Sequence, residues 1–199
     1  MRNHILATAS LALIGCAGGT EPPAAAGSAA PVAVTAAVAA SEVPVPGEAE
    51  IRALIRDVYD VISGPAGQQR DWQRMRALFA PNARLSAMVP RMPPDSLAAG
   101  PRPLMVVMTV EDWIRNSEPF LMEEGFFETE LHNEIERYGN VAHVWSTYDS
   151  RIGSPTSEPM DRGINSFQLV HHDGRWWVWN ILWHSERAGA GTIPDRYLD

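Results

Sequence analysis

The chain has 199 residues, 45% of them hydrophobic, and a formal net charge of -8. This length and apolar content allow a core of ordinary size, and we expect one folded domain. All 16 cationic side chains are arginines, and they do not cluster into a basic stretch, which argues against nucleic-acid binding. The single cysteine, Cys16, excludes an internal disulfide bond.

The first residues have the layout of an export signal. Residues 1–4 include one arginine, and the apolar run from Ile5 to Ile14 is too short to span a bilayer. The run ends in Leu13-Ile14-Gly15-Cys16, which resembles the lipobox of bacterial lipoproteins. We predict a signal peptide over residues 1–15, acylation of Cys16 and anchoring at the periplasmic side of the cell envelope. An ordinary secretory signal with an incidental cysteine is the alternative.

Residues 16–47 form a low-complexity segment of Ala, Pro, Gly, Ser and Thr with scattered Val. The segment has neither a helical nor an alternating hydrophobic period, so we predict a disordered tether behind the lipidated cysteine. Such a tether would hold a folded domain away from a membrane surface. The folded domain itself is predicted over residues 48–199.

Helices are predicted early in that domain. Apolar residues at helical spacing predict one over Glu48–Ser63, ended by Gly64-Pro65. Asp71 is placed to cap a second helix, and Thr109 followed by Asp112 resembles the capping box of a third. Between the second and third helices, strands are predicted over Ala83–Val89 and Leu104–Thr109.

Strict alternation over Phe126–Arg137 predicts a strand, and Gly139-Asn140 predicts a hairpin turn. This pattern puts five polar residues on one face of the strand: Glu128, Glu130, His132, Glu134 and Glu136. Alternate residues of a strand lie ~6.6 Å apart in a row, so they converge poorly on one metal ion. We interpret the row as a solvated face.

The segment Asp161–Glu186 contains two strand-length apolar runs split by Asp173-Gly174, a dipeptide typical of a two-residue hairpin turn. A hairpin with that turn pairs His172 with Arg175. Both of its faces are rich in apolar residues, so we expect both to be covered.

Together, these elements resemble the nuclear-transport-factor-2-like superfamily, and most of all its polyketide-cyclase-like (SnoaL-like) branch with exported relatives. The resemblance covers Glu48 to about Glu186 and rests on the DGRWWV hairpin and the Leu78-Phe79-Ala80-Pro81 helix end. It implies an α+β cone, in which a curved antiparallel sheet wraps around N-terminal helices and closes a pocket. The superfamily includes isomerases, dehydratases, cyclases, hydrolases and binding modules, so the resemblance does not fix a reaction.

In such relatives the first Trp of the hairpin and alternate residues after it usually point into the pocket. Carried over with a register that joins Ser146 to Phe167, this pattern implies an apolar pocket with a few amides and hydroxyls, typical of a site for a small, mainly apolar molecule. The implied pocket residues are Tyr59, Asn133, Ser146, Tyr148, Asn165, Phe167, Trp176, Val178 and Asn180.

Family enzymes usually take their acid–base group from an inward Asp or His and a Tyr on the first helix. Tyr59 matches the Tyr, and His184 and Asp71 are the other candidates, each with an alternative role as a structural polar residue or helix cap. The strand face that we predict to point inward contains no carboxylate, which argues against proton abstraction.

Two classes of function stay open. The first is an isomerase, dehydratase or cyclase that acts on an apolar substrate; the second is an envelope-tethered binding or assembly module, which the lack of an acid–base pair favours. No Gly-x-Ser-x-Gly, phosphate-binding glycine loop or dinucleotide fingerprint occurs, and no cofactor or metal is predicted.

Three indoles on the predicted convex face, those of Trp177, Trp179 and Trp183, would form an apolar patch that a partner should cover. The resemblance implies a homodimer through this face. The alternative is that the C-terminal segment with Ile193 and Tyr197 folds back over it.

Overall fold

The computed structural model describes residues 47–91 and 102–199. Cys16, the predicted signal peptide and all of the predicted tether except residue 47 lie outside the described residues. The elements are α1 Glu48–Ile62, α2 Trp72–Leu78, β1 Phe79–Arg91, β2 Arg102–Thr109, α3 Val110–Glu124, β3 Phe126–Tyr138, β4 Val141–Ile152, β5 Asp161–His172 and β6 Arg175–Ser185, followed by helical turns at Glu186–Ala190 and Asp195–Tyr197. No helix in this part of the chain is long and apolar enough to cross a membrane.

The predicted helix caps are confirmed. The Asp71 side chain accepts a hydrogen bond of 2.8 Å from the backbone N–H of Arg74 at the start of α2. At the start of α3, Thr109 and Asp112 form a reciprocal capping box, which satisfies two backbone donors that the helix leaves unpaired.

The six strands form one curved sheet in the order β2-β1-β6-β5-β4-β3. Only β1 and β6 run parallel, and the other neighbours are antiparallel. Ile51 and Ile55 of α1 are fully buried together with Val144, Phe167 and Val178 of the sheet. We call the side of the sheet that packs on the helices the inner face. The α+β cone is thus the fold of the described domain.

The turn of the last hairpin lies where the sequence predicts it. His172 pairs with Arg175, and Asp173 and Gly174 have φ angles of 51° and 77°. Both central residues of this turn type need positive φ, which Asp tolerates and Gly adopts without a steric penalty.

Two bulges change which face of the sheet some side chains of β3 and β6 occupy, compared with the prediction. Glu130 pairs with Tyr148 but His132 pairs with Thr147, so Leu131 is an extra residue in β3. A one-residue shift of this kind moves the side chains beyond it to the opposite face. The prediction of one polar row along β3 is therefore wrong: Glu128 and Glu130 lie on the inner face.

The second bulge lies in β6. Leu169 pairs with Val178, whereas Gln168 pairs with Asn180, so Trp179 is the extra residue. Beyond it, Ile181 and Trp183 lie on the inner face, which corrects the prediction that Trp183 belongs to the outer one. The pairing of β4 with β5 also differs, since Ser146 pairs with Asn165. The observed pairing differs from the predicted one by two residues along β5, so the side chains of β5 stay on their predicted faces.

The outer face is partly covered by the chain itself. Arg175 stacks over the Trp177 ring at 3.3 Å, while Trp179 is 54% exposed. The C-terminal segment folds back over the sheet, because the Thr147 hydroxyl donates to the Tyr197 carbonyl at 2.7 Å and Ile193 is buried. A homodimer through the remaining Trp177 and Trp179 surface stays a prediction.

Candidate functional site

A cavity of about 190 Å³ lies between the helices and the inner face of the sheet. Most of its wall is apolar, and its polar groups come from α1, β3, β4 and β5. The lining residues are Val58, Tyr59, Ile62, Met75, Phe79, Leu85, Trp113, Phe126, Glu128, Tyr148, Asn165, Phe167, Ile181 and Trp183.

The structure brings four of the predicted pocket residues together in this wall, namely Tyr59, Tyr148, Asn165 and Phe167. Three further ones, Ser146, Trp176 and Val178, are buried in the core beside the cavity without lining it.

Asn133 and Asn180 are not part of the cavity wall. The Asn133 side chain accepts a hydrogen bond from Arg52 near the start of α1. Asn180 lies beyond the bulge at Trp179, opposite Gln168, so its predicted inward position is wrong. The bulge is the physical reason, because the extra residue turns Asn180 away from the cavity and Ile181 toward it.

Two of the three predicted acid–base candidates also lie away from the cavity. Asp71 is the exposed cap of α2. The His184 Nε2 atom lies 3.3 Å from the Ala188 carbonyl, beside the C-terminal segment. Both therefore fill the structural roles that were their alternatives.

Glu128 is a half-buried carboxyl group in the cavity wall that the sequence pattern does not predict. Burial raises its pKa from 4.5 to about 8, and the negative charges of Asp161 and Asp149 act in the same direction. A side-chain hydrogen bond with Asn165 acts the other way and lowers the pKa. At neutral pH the group is mostly protonated, with an appreciable ionised fraction.

Tyr59 is the centre of a buried hydrogen-bond network. Its hydroxyl lies 2.7 Å from Ser146 Oγ and accepts a hydrogen bond of 3.0 Å from Asn165 Nδ2. Ser146 in turn donates to Glu130 Oε1 at 2.6 Å. Burial, and next the charge of Glu128, raise the pKa of Tyr59 well above its ordinary value, so the hydroxyl keeps its proton. The Tyr59 hydroxyl thus makes its hydrogen bonds with other groups of the protein.

Tyr148 has the hydroxyl that stays open to a ligand. Within the described residues it makes no hydrogen bond, and it lies over Gly163, where an added Cβ would come within 2.7 Å of the oxygen. Burial, and then Glu128, raise the pKa of Tyr148, so this hydroxyl is a donor. Glycine at position 163 therefore leaves the room that the hydroxyl occupies.

The site has the means for proton transfer and hydrogen bonding. The described residues contain no group of three or more His, Cys, Asp or Glu that could hold a metal ion. What the wall offers is one carboxyl with a pKa near the physiological range, one phenol donor and one amide. Such a set can bind a polar group of an apolar molecule and move a single proton.

The comparisons with known proteins concern the fold. No family model matches the chain, and no curated protein matches it. A protein of unknown function with a cystatin-like fold from Nostoc punctiforme matches with a TM-score of 0.51 at 12% identity, over 74% of this chain and 93% of that one. An NTF2-like protein from Cytophaga hutchinsonii matches with a TM-score of 0.51 at 11% identity, over 70% of this chain and 98% of that one. The chain therefore has the fold of the nuclear-transport-factor-2-like proteins.

Proposed function

We propose that the cavity binds a small, mainly apolar molecule with one carbonyl or hydroxyl group, and that Glu128 transfers a proton to or from it. The observation that carries the proposal is the Glu128 carboxyl, whose pKa is raised to about 8 in an otherwise apolar wall. It supplies the acid–base group whose predicted absence favoured a plain binding role.

The pKa of Glu128 suits both directions of proton transfer. A catalytic group is most effective when its pKa lies near the working pH, because both of its protonation states are then populated. A double-bond shift next to a carbonyl takes a proton from one carbon and returns it to another. One carboxyl that accepts and returns the proton suffices, which makes an isomerase or dehydratase type of reaction the best match.

The cavity volume limits the ligand. Ligand pockets usually measure ~300–1,000 Å³, whereas an apolar cavity of ~150 Å³ binds benzene. At about 190 Å³ the cavity matches a molecule about the size of a single ring. The Tyr148 hydroxyl would donate to the polar group of that molecule, and the Met75 and Phe79 side chains would contact its apolar part.

A set of one-ring ketones and enones tests the proposal on the full chain. We expect some of them to raise the melting temperature of the wild type. For those that bind, proton NMR in D₂O should show exchange of the protons next to the carbonyl, because Glu128 abstracts them. Glu128→Gln should slow this exchange by about 10²–10⁴-fold, the usual contribution of a positioned acid–base group.

The matched control is Glu134→Gln, which removes an exposed carboxyl from the same strand and should leave the exchange unchanged. Binding with exchange that does not depend on Glu128 would reduce the role to ligand binding. If none of the compounds binds, the cavity only packs side chains, and an assembly role remains.

We also propose that the protein is exported and anchored through Cys16, on the strength of Leu13-Ile14-Gly15-Cys16 after the apolar run. Radiolabelled fatty acid should enter the wild type and not Cys16→Ser, and the wild type should fractionate with membranes. Equal labelling of both, or a wild type found only in the soluble fraction, would contradict the proposal.

A further inference from the structure

A chain of hydrogen bonds connects the cavity to a groove on the protein surface. Glu130 accepts from Ser146 at 2.6 Å, Ser146 lies 2.7 Å from the Tyr59 hydroxyl, and that hydroxyl accepts from Asn165 at 3.0 Å. Asn165 also interacts with Glu128. The groove measures about 390 Å³, and both glutamates line it together with Tyr59.

The hydrogen bond that Ser146 donates to Glu130 sets the direction of every bond in this chain. A carboxylate only accepts hydrogen bonds, so the single proton of the Ser146 hydroxyl points to Glu130. Ser146 Oγ can then only accept, so the Tyr59 proton points to Ser146. The Tyr59 oxygen in turn accepts from Asn165, which turns the NH₂ end of that amide toward Tyr59.

The orientation of the Asn165 amide matters for Glu128. An amide NH₂ has two hydrogens, so Asn165 can donate one to Tyr59 and the other to Glu128. Donation to a carboxylate favours its ionised form, and the interaction with Asn165 does lower the pKa of Glu128. A flipped amide would present its oxygen instead, which favours the protonated carboxyl.

We propose that Glu130 and Ser146 are positioning residues, which orient the Asn165 amide so that its NH₂ end meets the Glu128 carboxyl. The inference rests on the proposed function, since it concerns the control of the same carboxyl. Glu130 and Ser146 do not line the cavity. They act on Glu128 only through Tyr59 and Asn165.

The charges around Glu128 show how the orientation of the Asn165 amide can be distinguished from a direct effect of the Glu130 charge on the Glu128 pKa. The titratable and charged groups around it are Arg56, Tyr59 and Asp60 on α1, Tyr148 and Asp149 on β4, and Asp161 on β5. Asp161 and Asp149 raise the pKa of Glu128, whereas the charge of Glu130 acts on Tyr59. Removal of the Glu130 charge alone would therefore lower the pKa of Glu128 or leave it unchanged.

The two effects have opposite signs in Glu130→Gln. A glutamine can meet Ser146 with its NH₂ as well as with its oxygen, so Ser146 becomes free to donate to Tyr59, and Tyr59 to a flipped Asn165. The loss of one hydrogen bond to the Glu128 carboxylate should then raise its pKa by about 0.5–1. Ser146→Ala breaks the chain while it keeps the Glu130 charge, and it should raise the pKa of Glu128 in the same way.

Carbon-13 NMR titration of the glutamate carboxyls in the full chain measures this directly, with the Glu128 signal assigned by its loss in Glu128→Gln. Glu134→Gln is the matched control for the removal of one negative charge from β3, and it should leave the Glu128 pKa where it is. A pKa that stays near 8, or falls, in Ser146→Ala would overturn the positioning role, whatever the Glu130→Gln variant shows, and would leave the proposed function intact. An ordinary Glu128 pKa in every form would overturn both.

Discussion

Replacing Glu128 by Gln should stabilise the protein by roughly 3–4 kcal/mol more at pH 8 than at pH 5. The reason is that the folded protein raises the pKa of this carboxyl from 4.5 to about 8, chiefly by burial. Gln has the same shape and can still accept a hydrogen bond from Asn165, but it has no charge to bury.

The sign of the effect follows from the protons bound in each state. Below about pH 4.5 the carboxyl is protonated in both the folded and the unfolded protein, so it has no effect on the pH dependence. Between about pH 4.5 and 8 the folded state keeps the proton that the unfolded state has lost. The free energy of unfolding therefore falls by about 1.4 kcal/mol per pH unit in this window and levels off above it.

Urea unfolding of the wild type and of Glu128→Gln at several pH values from 5 to 9 checks this prediction. The difference between the two proteins isolates Glu128 from other titrating groups, such as His143, whose pKa burial lowers. Glu134→Gln should follow the wild type. A Glu128→Gln variant that parallels the wild type at every pH would show that Glu128 is an ordinary solvated carboxyl.

The second large effect concerns Arg70, a buried cation whose hydrogen-bond partners in the described residues are all backbone carbonyls. Its side chain is 5% exposed and donates to five backbone carbonyls in the described residues. The acceptors are Ile62 at 3.0 Å, Gly64 at 2.5 Å, Pro65 at 3.3 Å, Leu121 at 3.4 Å, and Gln68. These bonds hold together the end of α1, the loop before α2 and the end of α3.

We expect Arg70→Met to lower the free energy of unfolding by about 3–5 kcal/mol. Methionine fills a similar volume but donates no hydrogen bond, and each buried carbonyl left unpaired costs about 1–3 kcal/mol. Arg56→Met, at an exposed position of α1, is the control and should change stability by less than about 0.5 kcal/mol. Equal losses in both variants would contradict the structural role of Arg70.

The elements set by local chemistry were predictable from the sequence. Asp173-Gly174 has the positive φ angles that its turn requires, and Thr109 with Asp112 makes the predicted capping box. The apolar spacing of α1 also places Tyr59 on its buried side. Each of these signals depends on residues within one or two turns of each other, so a single sequence suffices to detect them.

The cavity wall depends instead on two bulges that leave no local signal. Leu131 and Trp179 are ordinary strand residues, and neither is a Gly or a Pro that would interrupt the alternation. Each nevertheless shifts the pairing by one residue, which brings Glu128 into the cavity wall and turns Asn180 out of it. Because the alternating pattern itself is unbroken, the predicted inner face lacked the one carboxyl on which the proposed chemistry depends.

Titration of the Glu128 carboxyl in the wild-type protein tests whether this group can serve as the acid–base residue of the cavity. Carbon-13 NMR of glutamate-labelled protein, with Glu128→Gln for assignment, reports the protonation of this single group without any ligand. We expect a titration centred near pH 8, because the carboxyl is half-buried beside Tyr59 and Tyr148 and close to the charges of Asp161 and Asp149. A midpoint near the ordinary value of 4.5 would contradict it.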